Sequence, residues 1–214
     1  LRKLEILSID GMKKGLENIH HLNNLWSLNL RGIKTDNIDW VGDLTKLELL
    51  KIMYGSYIDT TGLQHLKNLK YLGISRTKGF EDISFLNNLE NMEFLHLEGI
   101  SYFESLPYTN AYKWLKKIKI ENLKSLQDIS ALIESEQLVE FLIYFPGTIK
   151  KQIRDIVLFQ AFDLINKLPH IKYTNLCSWP SFKKEINQLS SNSIHEYKHS
   201  KSKWRQDVEG GWTL

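Results

Sequence analysis

Cysteine and proline are scarce in this sequence. Its 214 residues include one cysteine, Cys177, and four prolines, so no intrachain disulfide can form and the small disulfide-stapled class is excluded. No apolar run comes near the roughly 18 residues that a membrane-spanning helix needs, and no basic-then-apolar leader opens the chain. A net charge of +3 is too small to indicate nucleic-acid binding by itself. We therefore expect no membrane contact and a cytoplasmic location.

Leucine, in contrast, is abundant and evenly spaced. The chain contains 33 leucines, and an L-x-x-L-x-x-L-x-L pattern of apolar residues recurs seven times, the last copy lacking its first position. The L-x-L part alternates with period two and predicts a short strand. One repeat cannot bury its apolar face alone, so the repeats are expected to stack into a solenoid with one parallel sheet. The third pattern position advances by 21 to 23 residues per copy, through Leu7, Leu28, Leu50, Leu72, Leu95, Ile118 and Phe141.

These repeats resemble the leucine-rich repeat family. Segments such as LNNLWSLNLRGI and LKNLKYLGIS carry the resemblance, which is nearest to the short bacterial type of the internalins and covers residues 1–145. It implies an α/β fold, a right-handed leucine-rich-repeat solenoid with a parallel concave sheet, and a soluble scaffold for protein–protein interaction. The family's asparagine ladder is absent, and we expect apolar packing or water to hold the turns instead. The ladder position is occupied by Met12, Ile33, Gly55, Thr77, Ile100, Leu123 and Pro146.

The period ends after the seventh repeat, and residues 146–177 are expected to form a C-terminal helix and a cap strand. Thr148 is a candidate N-cap for an amphipathic helix of about 20 residues. The segment after the helix repeats the pattern loosely and predicts an eighth strand, in which Ile171 is equivalent to Phe141. At the other end the pattern begins in mid-repeat at Leu1, so we expect a cap or further repeats upstream.

Residues 178–214 form a polar, basic tail. Residues 146–214 hold 11 Lys and Arg against 6 Asp and Glu, whereas residues 1–145 hold 17 against 19. Nucleic-acid contact through the tail is one alternative function, although we favour a solvated extension. Residues 195–199, His-Glu-Tyr-Lys-His, match the zinc-hydrolase pattern H-E-x-x-H, which makes a metal-binding or hydrolytic role the other alternative. The Ser-rich flanks disfavour a helix, so we interpret the match as coincidental and predict no enzyme, no metal site and no cofactor.

Alternation within each strand assigns three residues per repeat to the concave face. The first members of these triplets should form a column across the sheet, and Leu49, Tyr71 and Phe94 are consecutive in it. Apolar side chains on a solvated face, rimmed by charge, are typical of a binding patch. The alternative is that the chain's own tail covers the column. We predict a binding site for a protein partner at Leu49, Lys51, Met53, Tyr71, Phe94, His96, Lys117 and Lys119.

Overall fold

Short parallel strands recur along the chain. The computed structural model describes residues 3–168, 170–176 and 179, and the backbone of residues 195–196. The strands in these residues are β1 Ile6–Asp10, β2 Ser27–Arg31, β3 Lys34–Asn37, β4 Leu49–Met53, β5 Ser56–Asp59, β6 Tyr71–Ser75, β7 Phe94–Glu98, β8 Lys117–Glu121, β9 Glu140–Tyr144, β10 Tyr173–Thr174 and β11 His195–Glu196. Strands β3 and β5 pair with each other, and the other strands form one parallel sheet in chain order.

The apolar residues of the L-x-L pattern point from this sheet into the core. Leu28, Leu50 and Leu72 lie opposite one another on adjacent strands, and all three are fully buried. Full burial of a leucine side chain stabilises the fold by about 2 kcal/mol. Because each repeat buries the same positions against the next, one continuous core runs from β1 to the C-terminal helix. The predicted repeat phase and the predicted solenoid are confirmed.

Short 3₁₀ turns form the second wall of the core. Each packs mainly on the equivalent turn of the next repeat, because the repeat is too short for a long helix. Asp59, Asp82 and Asp128 each accept a hydrogen bond at 2.7–2.8 Å from the backbone N–H two residues further on, at the start of such a turn. The turns span Leu16–His21, Asp39–Val41, Thr61–His65, Ser84–Asn88, Asn110–Tyr112 and Ser130–Glu134.

Residues in the left-handed conformation follow the strands of the first six repeats. Their φ angles lie between 49° and 65°, and they are Gly11, Gly32, Tyr54, Arg76, Gly99 and Asn122. Each donates its backbone N–H at 2.7–3.0 Å to the carbonyl oxygen of the last strand residue of the next repeat. At the ladder position Ile33, Ile100 and Leu123 are buried, and the Thr77 hydroxyl donates to the Ser75 carbonyl at 2.9 Å. Apolar packing holds these turns as predicted, and a backbone ladder that we did not predict supplies their hydrogen bonds.

The C-terminal helix α1 (Lys151–Lys167) begins later than predicted. Its N-cap is Lys150, and no side chain caps it. Thr148 instead lies in a turn that is closed by a hydrogen bond from the Ile149 N–H to the Pro146 carbonyl at 3.0 Å. The helix packs on the last 3₁₀ turn. No helix among the described residues is long and apolar enough to span a membrane.

The predicted register of the eighth strand is wrong by three residues. Thr174, not Ile171, lies opposite Phe141 in the pairing of β10 with β9. Tyr173 lies opposite Glu140 on the other face of the sheet. Thr174 is fully buried, and its hydroxyl oxygen accepts a hydrogen bond from the Leu176 N–H at 3.2 Å. A polar residue therefore occupies the position at which the repeat pattern led us to expect an apolar one.

Asn175 joins the end of β10 to the last long strand. Its Oδ1 accepts from the Ile143 N–H at 3.0 Å, and its Nδ2 donates to the Ile143 carbonyl at 2.7 Å. The side-chain amide thus takes both backbone groups that a longer β10 would have paired. Beyond it, β11 pairs in parallel with β10, with His195 opposite Tyr173.

Candidate functional site

The concave face, defined as the face of the main sheet that points away from the core, carries all eight predicted site residues. The strand register aligns the first members of the triplets into one column. From β1 to β10 this column consists of Ile6, Ser27, Leu49, Tyr71, Phe94, Lys117, Glu140 and Tyr173. The middle column contains, in order, Lys51, Gly73, His96 and Lys119, and Met53 lies in the third column. The predicted faces are correct, and whether the residues bind a partner stays a prediction.

Leu49, Tyr71 and Phe94 form a small hydrophobic cluster that is separate from the main core. The rings of Tyr71 and Phe94 meet edge to face, with centroids 4.6 Å apart and planes at 82°. The Lys51 ammonium lies 5.6 Å from the centroid of the Tyr71 ring, within the range of a cation–π interaction. We call Leu49, Tyr71 and Phe94 the concave cluster.

The concave cluster is much less exposed than a patch on an open sheet. Leu49, Tyr71 and Phe94 are 2%, 9% and 6% exposed, so the expectation of a solvated column is wrong. Burial also raises the pKa of the Tyr71 phenol above its ordinary value. At the two ends of the column Ile6 is 37% and Tyr173 42% exposed. The column is therefore buried around Leu49, Tyr71 and Phe94 and more exposed at its two ends.

A network of charged side chains lies beside the concave cluster. Glu121 accepts from His96 Nε2 and Lys119 Nζ, both at 2.8 Å. Burial opposes the ionised form of this carboxylate, but the hydrogen bonds from His96 and Lys119 outweigh it and lower the pKa of Glu121 to about 2. Glu98 accepts from Ser75 Oγ and from Arg76 Nε, the latter at 2.9 Å. The network ties β6, β7 and β8 together.

Three members of this network offer atoms that could bind a metal ion. One ligand atom from each of His96, Glu98 and Glu121 lies within 4.8 Å of the others. The two carboxylates are already neutralised, however, by Arg76 at 2.9 Å and Lys119 at 2.8 Å. A divalent cation would have to displace both cations and overcome their repulsion. The arrangement therefore fits a charge-balanced ion-pair network better than a metal site.

Sequence analysis placed His96 and Lys119 on the concave face but did not predict the side chains that they contact. Glu98, Glu121 and Ser75 belong to the third column of the concave face, and alternation alone does not pair them with residues of the middle column. The signal was present, since a shift of 23 residues between neighbouring repeats places Glu121 diagonally across from His96. Diagonal pairs on one sheet face lie within reach of long side chains.

The predictions made for the tail fall mostly outside the described residues. Cys177 lies outside them, as do residues 197–199 and the side chains of His195 and Glu196. The backbone of His195 and Glu196 forms strand β11, whereas the H-E-x-x-H zinc site requires both histidines on one helix face.

Comparison with known proteins shows that this chain is similar in fold to solved structures. No protein-family model matches the sequence, and no curated protein does. A crystal structure of the internalin InlF from Listeria monocytogenes is 22% identical and covers 80% of this chain and 53% of its own, with a TM-score of 0.52. The LRR protein LIC12759 from Leptospira interrogans is 18% identical and covers 92% and 52%, with a TM-score of 0.56. This chain thus spans about half the length of each. It has the leucine-rich-repeat solenoid fold that these two proteins also adopt.

Proposed function

We propose that the chain is a non-catalytic recognition module that binds a protein partner on the concave face. The observation that carries the proposal is the concave cluster, a group of large apolar side chains on the face opposite the core. Large apolar side chains gathered on the face that points away from the core are typical of interaction sites. Aromatic anchors are also the residues that dominate the energy of protein interfaces.

The rigidity of the sheet supports this proposal. Tyr71 and Phe94 stand on adjacent strands with a regular parallel register, and the ion-pair network holds the neighbouring strands. Binding to such a surface orders few side chains, so little of the contact energy is lost to conformational entropy. The charged groups beside the cluster would orient a partner more than they would strengthen its binding.

Substitution of the cluster tests the proposal. Full-length protein is immobilised as the parent, as Phe94→Ala and as Tyr102→Ala, and proteins retained from a lysate of the source cells are quantified by mass spectrometry. Tyr102 is 79% exposed and lies outside the strands, so its substitution is a matched aromatic control. A partner of the concave face should be retained by the parent and the control and lost by Phe94→Ala.

The affinity of a partner identified in this way gives the second readout. Loss of an aromatic anchor costs about 2 kcal/mol, or roughly a 30-fold rise in Kd. Thermal unfolding of each variant establishes that it is folded. If Phe94→Ala does not fold, the affinity is measured with Tyr71→Ala instead. Equal affinity of the parent and the cluster variants would exclude the concave cluster as the binding site.

A further inference from the structure

We propose that a groove at the carboxyl ends of β6, β7, β8 and β9 binds the phosphate group of a phosphorylated protein segment. The groove lies beyond the ends of these strands and includes none of the residues of the concave cluster. The polar side chains that carry the proposal are Arg76, Ser101, Asn122, Lys124 and Ser125. The site goes beyond the proposed function and takes from it only that the ligand belongs to a protein.

The parallel register of the sheet brings these side chains together. Glu98 and Glu121 end β7 and β8 and lie opposite each other. Ser101 and Lys124 follow them at the same distance along the chain, so they are equivalent residues of neighbouring repeats. Because neighbouring strands are about 4.8 Å apart, the turns that follow them lie side by side and form the walls of one groove.

A glycine gives the Arg76 side chain room beside the groove. Gly99 has a φ angle of +60°, and a Cβ on it would lie 3.0 Å from the Arg76 Cγ. Because Gly99 has no side chain, the aliphatic stem of Arg76 can pass close to the turn. The Arg76 Nε donates to Glu98 at 2.9 Å, and the terminal nitrogens of the guanidinium carry the N–H groups that a ligand can use.

The charge of the groove favours an anion. Arg76 and Lys124 are cations, and no Asp or Glu is among the described residues that line the groove. Ser101 and Ser125 add hydroxyl donors. Glu98 partly compensates the charge of Arg76, whereas the Lys124 side chain forms no ion pair or hydrogen bond with any described residue. Lys124 is therefore the main source of attraction for an anion.

A phosphate monoester matches these groups in charge and in hydrogen-bond acceptors. At neutral pH it carries a charge of about −1.5 to −2 and has three strong acceptor oxygens. The ammonium, the guanidinium N–H groups and the hydroxyls can each donate to one of these oxygens. A carboxylate has two oxygens and a single charge, so it would leave more of the donors unused.

The groove is open to solvent, which favours a phosphate that projects from a larger molecule. Ser101 and Lys124 are exposed, whereas sites for free small molecules surround about 70–90% of the ligand. The groove has a volume of about 640 Å³, within the usual range of ligand sites. A nucleic acid presents a row of phosphates, but Arg76 and Lys124 are the two cations among the described residues that line the groove. A single phosphorylated side chain of a protein suits this arrangement best.

Titration of the isotope-labelled full chain with the peptide acetyl-Gly-phosphoserine-Gly-amide, followed by amide NMR signals, tests the proposal. The signals of Ser101, Lys124 and Ser125 should shift with the phosphopeptide and stay in place with its unphosphorylated counterpart. Lys124→Gln should raise the Kd about tenfold, because it removes a hydrogen bond between two charged groups. Lys113→Gln is the matched control, since Lys113 is exposed and follows a 3₁₀ turn on the opposite wall, and its Kd should equal that of the parent.

Three outcomes would overturn the proposal. Unmoved groove signals, or an equal Kd for the parent and Lys124→Gln, would exclude the groove as a phosphate site. Inorganic phosphate that binds at least as tightly as the phosphopeptide would assign the groove to free phosphate. A short oligothymidylate that binds more tightly than the phosphopeptide would assign it to nucleic acid. Because the titration needs no partner, it can fail while Phe94→Ala still abolishes partner binding, and the proposed function can fail while the groove still binds the phosphopeptide.

Discussion

Replacement of Glu121 by Gln should destabilise the protein at neutral pH and do so much less in acid. In the folded protein the carboxylate accepts from His96 and Lys119 at 2.8 Å, and its pKa falls from 4.5 to about 2. A group whose pKa is lower in the folded state than in the unfolded state binds protons more readily when unfolded. Its contribution to stability is therefore complete above the unfolded pKa of 4.5 and is lost as the pH falls toward 2.

The size of this effect follows from the two pKa values. A fall from 4.5 to about 2 corresponds to about 3 kcal/mol at pH 7, of which roughly 1 kcal/mol remains at pH 3. The difference in the free energy of unfolding between parent and Glu121→Gln should decrease accordingly. Urea unfolding followed by circular dichroism at pH 7, 5, 4 and 3 measures this difference, with the parent titrated in parallel so that other carboxyl groups cancel.

Glu93→Gln is the matched control. Glu93 and Lys116, which immediately precede β7 and β8, form an ion pair at 2.8 Å, but the two side chains are about half exposed. Such exposed pairs contribute about 0–1 kcal/mol, so the control should lose little stability. Equal losses of stability in the two variants at pH 7 would refute the stabilising role of Glu121, as would a loss in Glu121→Gln that is as large at pH 3 as at pH 7.

Two further predictions concern the fold. Gly79→Ala should destabilise the protein by at least about 3 kcal/mol in urea unfolding, because φ is +90° and a Cβ would lie 1.9 Å from the Tyr57 carbonyl oxygen. Gly147→Ala is the control, because no atom lies within 4 Å of the added Cβ, and it should change stability by less than about 0.5 kcal/mol. Similar losses of stability in Gly79→Ala and Gly147→Ala would contradict the predicted clash at Gly79. Asn175→Ala should cost about 2–4 kcal/mol because it leaves the buried Ile143 N–H and carbonyl unpaired; an unchanged urea midpoint would show that water replaces the amide.

The phase and facing of the strands were predictable because two constraints act on the same residues. Period-two alternation assigns Leu95 to the core and Phe94 to the concave face, and the 23-residue step to Ile118 and Lys117 repeats that assignment. A shift by one residue would expose every buried side chain of the strand. Seven repeats in phase exclude such a shift, so both faces followed from the sequence.

The C-terminal cap was less predictable because it breaks the pattern. Thr174 fills a core position with a hydroxyl that is satisfied locally, so hydropathy moved the predicted strand to Ile171. Thr148 has the chemistry of an N-cap, but the turn after Pro146 places Lys150 at that position. A single strand with two paired residues offers no repetition to correct such errors.

The exposure of the concave face could not be derived from the repeats at all. Alternation states which face a side chain occupies, but burial on that face depends on contacts that are distant in sequence. Leu142 illustrates this point, because it is a concave residue by alternation and is nevertheless fully buried. Alternation is equally consistent with a binding patch and with a cover formed by the tail, so it does not distinguish between these two interpretations.

The missing asparagine ladder has a physical explanation in the backbone. A ladder of side-chain amides is needed only where the turn backbone lacks partners. Here the left-handed residues after the strands extend the pairing of the sheet by one hydrogen bond per repeat, from the Gly11 N–H to the Asn122 N–H. Three of these repeats therefore place a buried apolar side chain at the ladder position, namely Ile33, Ile100 and Leu123. At β10 strand pairing stops short, and there an amide, that of Asn175, takes its place.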